Sequence, residues 1–153
     1  MENTEVRQIA LDYENATKQF LAAVAKLATA DLDKPKQDGW SARQVIHHLA
    51  DGEAQGCARL KRILAEPGSI IQGYDENKWA ANKTLGYAQL PIENAIALFT
   101  ASRASALEII NRLVDEQLTK SAIHSESGPI DIRKWAKNHI NHALDHTQQL
   151  LAD

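Results

Sequence analysis

The stretch NHINHALDHTQQL, residues 138–150, has the spacing of an amphipathic helix but carries histidines on its apolar stripe. The members of that stripe, three or four residues apart, are Ile132, Trp135, His139, His142, His146 and Leu150. A stripe that faces a core is normally apolar, because burial of an imidazole without a partner is costly. His142 and His146 are one turn apart, about 40° around the helix axis and roughly 6 Å along it. Two imidazoles in this arrangement can bind one metal ion, which would explain the histidines.

Two helices are predicted ahead of the middle of the chain. Residues 4–28 place apolar side chains at spacings of three and four, which indicates a long amphipathic helix. The second helix should begin at Ser41, because Ser41 and Gln44 match a capping box. It should end near Ala65, ahead of a Pro-Gly pair.

Two more helices are predicted in the second half. Pro91 suits the first turn of the third helix, which should end near Val114. Asp131 is a suitable N-cap for the last helix, which carries the histidines. Four helices of about 20 to 25 residues predict an all-α four-helix bundle, and the length of the chain predicts a single domain over residues 1–153.

A long crossover, residues 66–90, should connect the second and third helices. Connections of this length in a compact domain usually have a role or contain a short helix, and we expect both. The crossover could cover one end of the bundle and contribute Tyr74 or Trp79 to the wall of a pocket. The alternative is that these aromatic side chains only fix the loop to the bundle.

A third histidine ligand is needed, because catalytic zinc commonly has three protein ligands and an open fourth position. The second helix offers His47 and His48. With Val45 set to zero on a helical wheel, the inward residues fall within about 60°, His48 lies at about −60° and His47 at about 200°. His48 is therefore the candidate that faces inward.

Gly52 and Gly56 lie on the inward stripe of the same helix. Each costs about 1 kcal/mol relative to alanine within a helix, so the absence of a side chain should bring an advantage. Either the helices pack unusually close there, or a cavity remains beside His48 for a ligand.

His139 competes with His146 as the partner of His142. His139 and His146 are about 10.5 Å apart along the helix axis, too far for both to bind one ion through bonds of roughly 2.1 Å. We prefer the pair His142 and His146, because of its i, i+4 spacing, and expect His139 to lie in the pocket wall or to support a ligand.

Three neutral imidazoles suit zinc or nickel, although iron, cobalt and copper also remain open. No carboxylate obviously completes the set. Glu53 and Asp145 are the candidates that could orient an imidazole or act as a base through a water molecule.

Composition excludes several classes of protein. The net charge of −3 and the lack of a long basic run argue against a nucleic-acid partner. Cys57 is the only cysteine, which excludes a disulfide or a thiolate metal cage within one chain. The apolar runs are too short to span a membrane and the first residues do not resemble a secretory signal, so we expect a cytoplasmic protein with a small-molecule substrate. Helices this amphipathic also often leave a face for a homodimer.

Four segments together resemble the DinB/YfiT-like family of four-helix-bundle proteins. They are GWSARQVIHHLAD at 39–51, YDENKWA at 74–80, PIENAIALF at 91–99 and HALDHTQQ at 142–149. In that family a tryptophan and a serine or threonine open the helix that carries the first metal histidine, and HxxxH on the last helix supplies two more. The resemblance implies that these positions are Trp40, Ser41, His48, His142 and His146.

The resemblance also implies an activity. Members are described as metal-dependent hydrolases, and some relatives are transferases or isomerases that use a low-molecular-weight thiol such as bacillithiol or mycothiol. We therefore expect an enzyme whose metal ion activates a thiol or water, and we favour an S-transferase. The alternatives are a metal-dependent hydrolase and a non-catalytic metal- or ligand-binding stress protein. An all-histidine site should lose metal as the pH falls below about 6.

Overall fold

The computed structural model describes residues 3–152, and four long helices dominate it. In chain order the helices are α1 (Thr4–Ala25), α2 (Ala42–Ala65), the short α3 (Glu76–Ala81), α4 (Glu93–Ile110) and α5 (Ile132–Leu151). Helix α1 packs against α5, α5 against α2, α2 against α4, and α4 against α1. This ring of four long helices confirms the predicted all-α four-helix bundle.

The predicted starts of two helices are confirmed by their caps. Ser41 Oγ accepts a bond of 3.2 Å from the Gln44 amide, and Gln44 Oε1 accepts one of 2.9 Å from the Ser41 amide. Asp131 Oδ1 accepts a bond of 2.8 Å from the Lys134 amide at the start of α5. These side chains satisfy amides that the first turn of a helix leaves free.

Two helix ends differ from the sequence prediction. Helix α1 ends at Ala25, and α4 ends at Ile110 rather than near Val114. The chain then turns through a short 3₁₀ segment at Asp115–Thr119. The short helix expected within the crossover is present as α3, whose N-cap is Asp75.

A small sheet, which the sequence analysis did not predict, connects the crossover with the segment before α5. Strand β1 (Ile70–Ile71) pairs in parallel with β2 (Ser121–His124), which pairs antiparallel with β3 (Gly128–Asp131). Strands of two to four residues are too short for an alternating pattern to emerge in the sequence. The sheet holds the crossover against the bundle and brings His124 towards α5.

The apolar core consists of two clusters, one towards each end of the bundle. One includes Tyr13 and Trp135, and the other includes Phe20 and Phe99. A polar layer lies between the two clusters, and each of the four long helices contributes side chains to it. The buried or largely buried side chains of this layer are Thr17, Glu53, Arg103, His139, His142 and Thr147. The candidate metal centre lies at this layer.

Among residues 3–152, no helix combines the length and the apolar character that crossing a membrane requires.

Candidate metal centre

His48, His142 and His146 come together between α2 and α5. One ring nitrogen from each lies within 4.8 Å of the others, and His48 Nε2 is 3.0 Å from His142 Nε2. His48 is only 2% exposed. His47 lies outside this cluster, where its Nε2 faces the carbonyl oxygen of Leu90 at 3.1 Å. The structure thus brings His48, which the helical wheel selected, together with His142 and His146, which were selected for their i, i+4 spacing.

The tautomer of His142 follows from its contact with Glu53. His142 Nδ1 lies 3.3 Å from Glu53 Oε1. An ionised carboxylate only accepts hydrogen bonds, so Nδ1 carries the proton and Nε2 presents a lone pair. This nitrogen points to His48, and it is therefore available to a cation.

The tautomer of His146 is determined by a chain of two hydrogen bonds. Gln149 Nε2 donates to the carboxylate of Asp38, which directs Gln149 Oε1 to His146. His146 Nδ1 donates to that oxygen at 2.6 Å. His146 Nε2 is left as a lone pair, as in His142.

The donor set fits a divalent cation. Bonds of about 2.0 to 2.1 Å in a tetrahedral site place neighbouring nitrogens about 3.3 Å apart, close to the separation of the His48 and His142 nitrogens. His48 Nδ1 is buried and has no hydrogen-bond partner among the described residues. Without a cation, His48 Nε2–H can donate to His142 Nε2 at this distance; with the proton on Nδ1 instead, both Nε2 atoms would present lone pairs to a cation.

Burial keeps the imidazoles of His48 and His146 in the form that binds metal. Burial, together with His142 and His146, lowers the pKa of His48 to about 3. Burial and the neighbouring His142 also lower the pKa of His146. Both rings are therefore neutral at pH 7. The ring of Trp40 packs edge-on against His48, with centroids 5.1 Å apart.

Glu53 and Arg103 form a buried ion pair beneath the histidines. Arg103 Nη1 donates to Glu53 Oε2 at 3.0 Å, and its other nitrogens donate to Thr17 Oγ1 at 2.7 Å and to the Tyr13 carbonyl at 3.0 Å. The guanidinium also lies 3.6 Å from the centroid of the Tyr13 ring. Arg103 therefore couples α4 to the carboxylate that orients His142.

Arg103 was not among the site residues predicted from the sequence. Its signal was available, since Arg103 follows the apolar Phe99 by four residues and precedes Ala106 by three, which places a charge near the inward stripe. A buried arginine requires a buried anion, and Glu53 was already a candidate on α2.

A second cluster shares His142 with the first. Glu53, His139 and His142 also place ligand atoms within 4.8 Å of one another. His139 Nδ1 lies 3.2 Å from Glu53 Oε1, and the His139 ring packs on Trp135 with centroids 4.9 Å apart. Here the carboxylate is already paired with Arg103, so charge is balanced without a cation.

The two glycines of α2 permit close approach of imidazoles from α5. A Cβ atom at Gly52 would lie 3.1 Å from His142 Cε1. One at Gly56 would overlap the ring of His139, at 2.8 Å from its Nδ1. Close packing, one of the two explanations considered from sequence, accounts for both glycines. Gly52 additionally borders an open cleft.

That cleft, of about 460 Å³, opens between α2, α5, the crossover and the β2–β3 hairpin. Tyr74 and His139, the side chains expected in a pocket wall, line it together with His142 and the exposed Asp145. Trp79 is not among the described lining residues; it packs on Tyr74, with ring centroids 4.6 Å apart.

Three further ionisable side chains of the cleft were not predicted from the sequence to belong to the site. They are Arg59, Glu76 and His124. Glu76 Oε2 lies 3.6 Å from His48 Nε2, which makes it the carboxylate that faces the three histidines from α3. Its position depends on the path of the crossover, and helix periodicity carries no information about that path.

Known proteins give an independent assignment. The family model of the DinB superfamily matches residues 12–150. A protein of Oceanobacillus iheyensis named "Putative metal-dependent hydrolase" is 33% identical over 139 residues, which cover 86% of this chain and 79% of that protein. A second protein of that name and organism is 30% identical over 144 residues, which cover 92% and 82%.

Two solved structures share the fold. YfiT from Bacillus subtilis, described as "a probable metal-dependent hydrolase with an unusual four-helix bundle topology", has a TM-score of 0.78 at 23% identity, and the match covers 100% of this chain and 91% of YfiT. The four-helix bundle protein TT2238 has a TM-score of 0.69 at 21% identity, with coverage of 97% and 99%. With the family match over residues 12–150, the chain belongs to the DinB superfamily.

Proposed function

We propose that this protein is a metal-dependent hydrolase in which His48, His142 and His146 hold a divalent ion, zinc or nickel, and Glu76 is the general base. The observation that carries the proposal is the position of Glu76 Oε2, 3.6 Å from His48 Nε2 and at the edge of the open cleft. The names of the curated relatives agree with hydrolysis.

A divalent cation in this position would supply Lewis acidity, which lowers the pKa of a water or a thiol and makes either one a nucleophile at neutral pH. The protein orients two of the donor rings through Glu53 and Gln149. Glu76 is 57% exposed on its side chain, so it can accept a proton from a water molecule in the cleft and release it to solvent.

Tyr74 is placed to bind the substrate. Its hydroxyl lies 3.6 Å from the position that a Cβ atom on Gly52 would occupy, beside His142. The hydroxyl has no hydrogen-bond partner among residues 3–152. Burial, followed by the charge of Glu76, raises the pKa of Tyr74 to about 12, so the hydroxyl stays protonated and can donate to a substrate oxygen.

A low-molecular-weight-thiol S-transferase is the second candidate. The volume of the cleft, about 460 Å³, is large enough for an electrophile beside a small thiol. In that reaction the thiol sulfur would form a bond to an electrophilic carbon, the leaving group would depart with its electron pair, and the thiol proton would pass to Glu76 or to solvent. The DinB/YfiT-like resemblance, which implies some relatives that use a low-molecular-weight thiol, supports this candidate.

The test compares Glu76→Gln with Glu108→Gln, a control at an exposed position on α4. Zinc- and nickel-loaded proteins are assayed on a panel of activated esters and amides, and on a panel of thiols with a model electrophile. For the hydrolase, Glu76→Gln should lower kcat about 10²- to 10⁴-fold without loss of metal, because only the base is removed.

Each other outcome has a distinct meaning. Consumption of a thiol without hydrolysis would replace the hydrolase with the S-transferase. A weaker metal affinity in Glu76→Gln, with no activity in the unmodified protein, would identify Glu76 as a fourth ligand and the protein as a metal-binding module. Trace metal alone, in a sample supplied with zinc and nickel, would overturn the metal centre.

A further inference from the structure

The two ends of the cleft differ in charge: the end near the histidine cluster carries acidic side chains, and the other end carries an arginine. Glu76 and Asp145 line the cleft together with His142, whereas Arg59 and His124 also contribute to its wall. Arg59 follows Gly52 by seven residues, so it is two turns, about 10.5 Å, further along α2. The cleft therefore runs from an acidic end near the histidines to a basic end at Arg59.

Arg59 retains most of its hydrogen-bonding capacity. Nη2 donates to the Gln72 carbonyl at 2.9 Å and contacts Gln55 Oε1 at 3.5 Å. Nε and Nη1 have no hydrogen-bond partner within residues 3–152. Neither atom is fully buried, unlike the unpaired Nδ1 of His48 and Oγ of Ser69. The Nε and Nη1 hydrogens are thus unpaired and accessible, and each can donate a charge-assisted bond to a carboxylate oxygen.

His124 is a second donor whose tautomer is fixed. Its Nδ1 accepts bonds from the amides of Glu126 at 3.1 Å and Ser127 at 3.3 Å. A neutral imidazole that accepts at Nδ1 carries its proton on Nε2. His124 Nε2 is therefore a hydrogen-bond donor with no recorded partner in the described part of the chain.

The backbone holds this end of the cleft in place. The Gly73 amide donates to Ser125 Oγ at 2.8 Å, which connects the loop before Tyr74 to the turn after β2. A Cβ atom at Gly73 would lie 2.7 Å from the Glu126 carboxylate and 3.0 Å from His124 Cε1. Glycine at this position lets the two segments meet, so Arg59 and His124 line one preformed cleft.

Glu126 is the acidic side chain that influences Arg59. Burial lowers the pKa of Arg59, and Tyr74 and the charge of Glu126 oppose this effect without outweighing it. No ion pair between them is present in the described structure, and Glu126 is exposed. The positive charge at this end consequently remains available to a ligand.

We propose that Arg59 and His124 form a subsite for a carboxylate group, and that the substrate carries this group about 10 Å from its reacting end. A single guanidinium charge and a neutral N–H donor match the charge of one carboxylate better than that of a doubly charged phosphate. That the reacting end of the substrate binds at the histidines rests on the proposed function. Binding of the carboxylate at Arg59 and His124 does not.

The test uses the monohydroxamate of suberic acid, which has a metal-binding hydroxamate at one end and a carboxylate at the other. Its methyl ester is the uncharged control. On zinc-loaded protein, calorimetry should show that the acid binds at least about tenfold more tightly than the ester, because charge-assisted bonds are lost in the ester. Arg59→Gln should reduce this ratio to less than about threefold.

Three variants separate the subsite from general effects of charge. Arg62→Gln removes an exposed cation one turn away and should leave the ratio unchanged. Arg59→Lys should give an intermediate ratio, because the charge remains but the Nε–H and Nη1–H donors of the planar guanidinium are lost. Glu126→Gln should strengthen binding of the acid. Equal affinity for acid and ester in the unmodified protein, or equal effects of Arg59→Gln and Arg62→Gln, would overturn the subsite.

Metal-free protein tests the subsite independently. Titration with hexanoate should shift the ¹⁵N resonance of Arg59 Nε, and hexyl phosphate should bind no more tightly. A hexanoate response combined with zinc-independent binding of the hydroxamate would support the subsite. The same combination would overturn the metal centre. Zinc-dependent binding without any hexanoate response would overturn the subsite alone, and tighter binding of hexyl phosphate would overturn its assignment to carboxylates.

Discussion

Glu53 Oε1 lies 3.3 Å from His142 Nδ1, so a fully buried carboxylate on α2 orients an imidazole on α5. Burial alone would raise the pKa of Glu53, but His139, His142 and Arg103 outweigh it and hold the pKa well below its ordinary value. The carboxylate is therefore ionised and fully engaged. Its role is to position His142, and the free carboxylate of the centre is that of Glu76.

Glu53→Gln should lower the affinity for zinc about 10- to 100-fold, because the amide no longer fixes the proton of His142 on Nδ1. It should also destabilise the fold by about 3 to 5 kcal/mol, since the charge of Arg103 loses its buried partner. Competition with a chelator measures the affinity, and urea unfolding measures the stability. Glu108→Gln is the matched control, and an equal effect of both variants would contradict the positioning role.

The sequence was informative about helices and about the inward side chains on them. Ser41 and Gln44 identified the start of α2, and the wheel separated His48 from His47, because both properties are encoded locally. Glu76 and His124 could not be placed in this way. Their positions depend on the crossover and on a sheet that pairs Ile70 with Ile123, a contact between distant segments that no local pattern specifies.

Replacement of Gly52 or Gly56 of α2 by alanine should affect the free energy of unfolding and the affinity for zinc to different extents. Gly56→Ala should destabilise the protein by about 1 to 2 kcal/mol, because the clash with His139 exceeds the gain in helix propensity. Gly52→Ala should change stability by less than about 0.5 kcal/mol, since His142 Cε1 at 3.1 Å can move slightly. That movement should weaken zinc binding, whereas Gly56→Ala should affect it less. Thermal unfolding measures the stability of each variant, and chelator competition measures its affinity for zinc. A reversed order of the two variants in either measurement would contradict these contacts.

Metal-free protein should lose stability as the pH falls from 6.5 to 5. The pKa of His48 is about 3 in the folded chain and about 6.5 when unfolded, so between these values only the unfolded chain binds this proton. The stabilisation is present above about pH 6.5, and about 1.5 kcal/mol of it should be lost by pH 5. Carboxylates remain ionised in this window, and His146, whose pKa is also lowered, adds a loss of the same sign.

The measurement is urea unfolding of chelator-treated protein at several pH values, for the unmodified chain and for His48→Leu. The variant should retain only the smaller dependence due to other groups such as His146. Identical pH dependence in both proteins would show that His48 is protonated equally in the folded and unfolded chains. The same shift implies that metal is retained somewhat below pH 6, the threshold expected for an unperturbed histidine.

The two overlapping clusters make opposite predictions for two histidines of α5. If the ion binds His48, His142 and His146, then His146→Asn should weaken the affinity for cobalt at least about 100-fold and His139→Asn less than about tenfold. If it binds Glu53, His139 and His142, the order is reversed. The visible absorption of bound cobalt reports its coordination in each variant. We expect the first order, because Arg103 already neutralises Glu53, whereas His142 Nε2 and His146 Nε2 present lone pairs beside His48 Nε2.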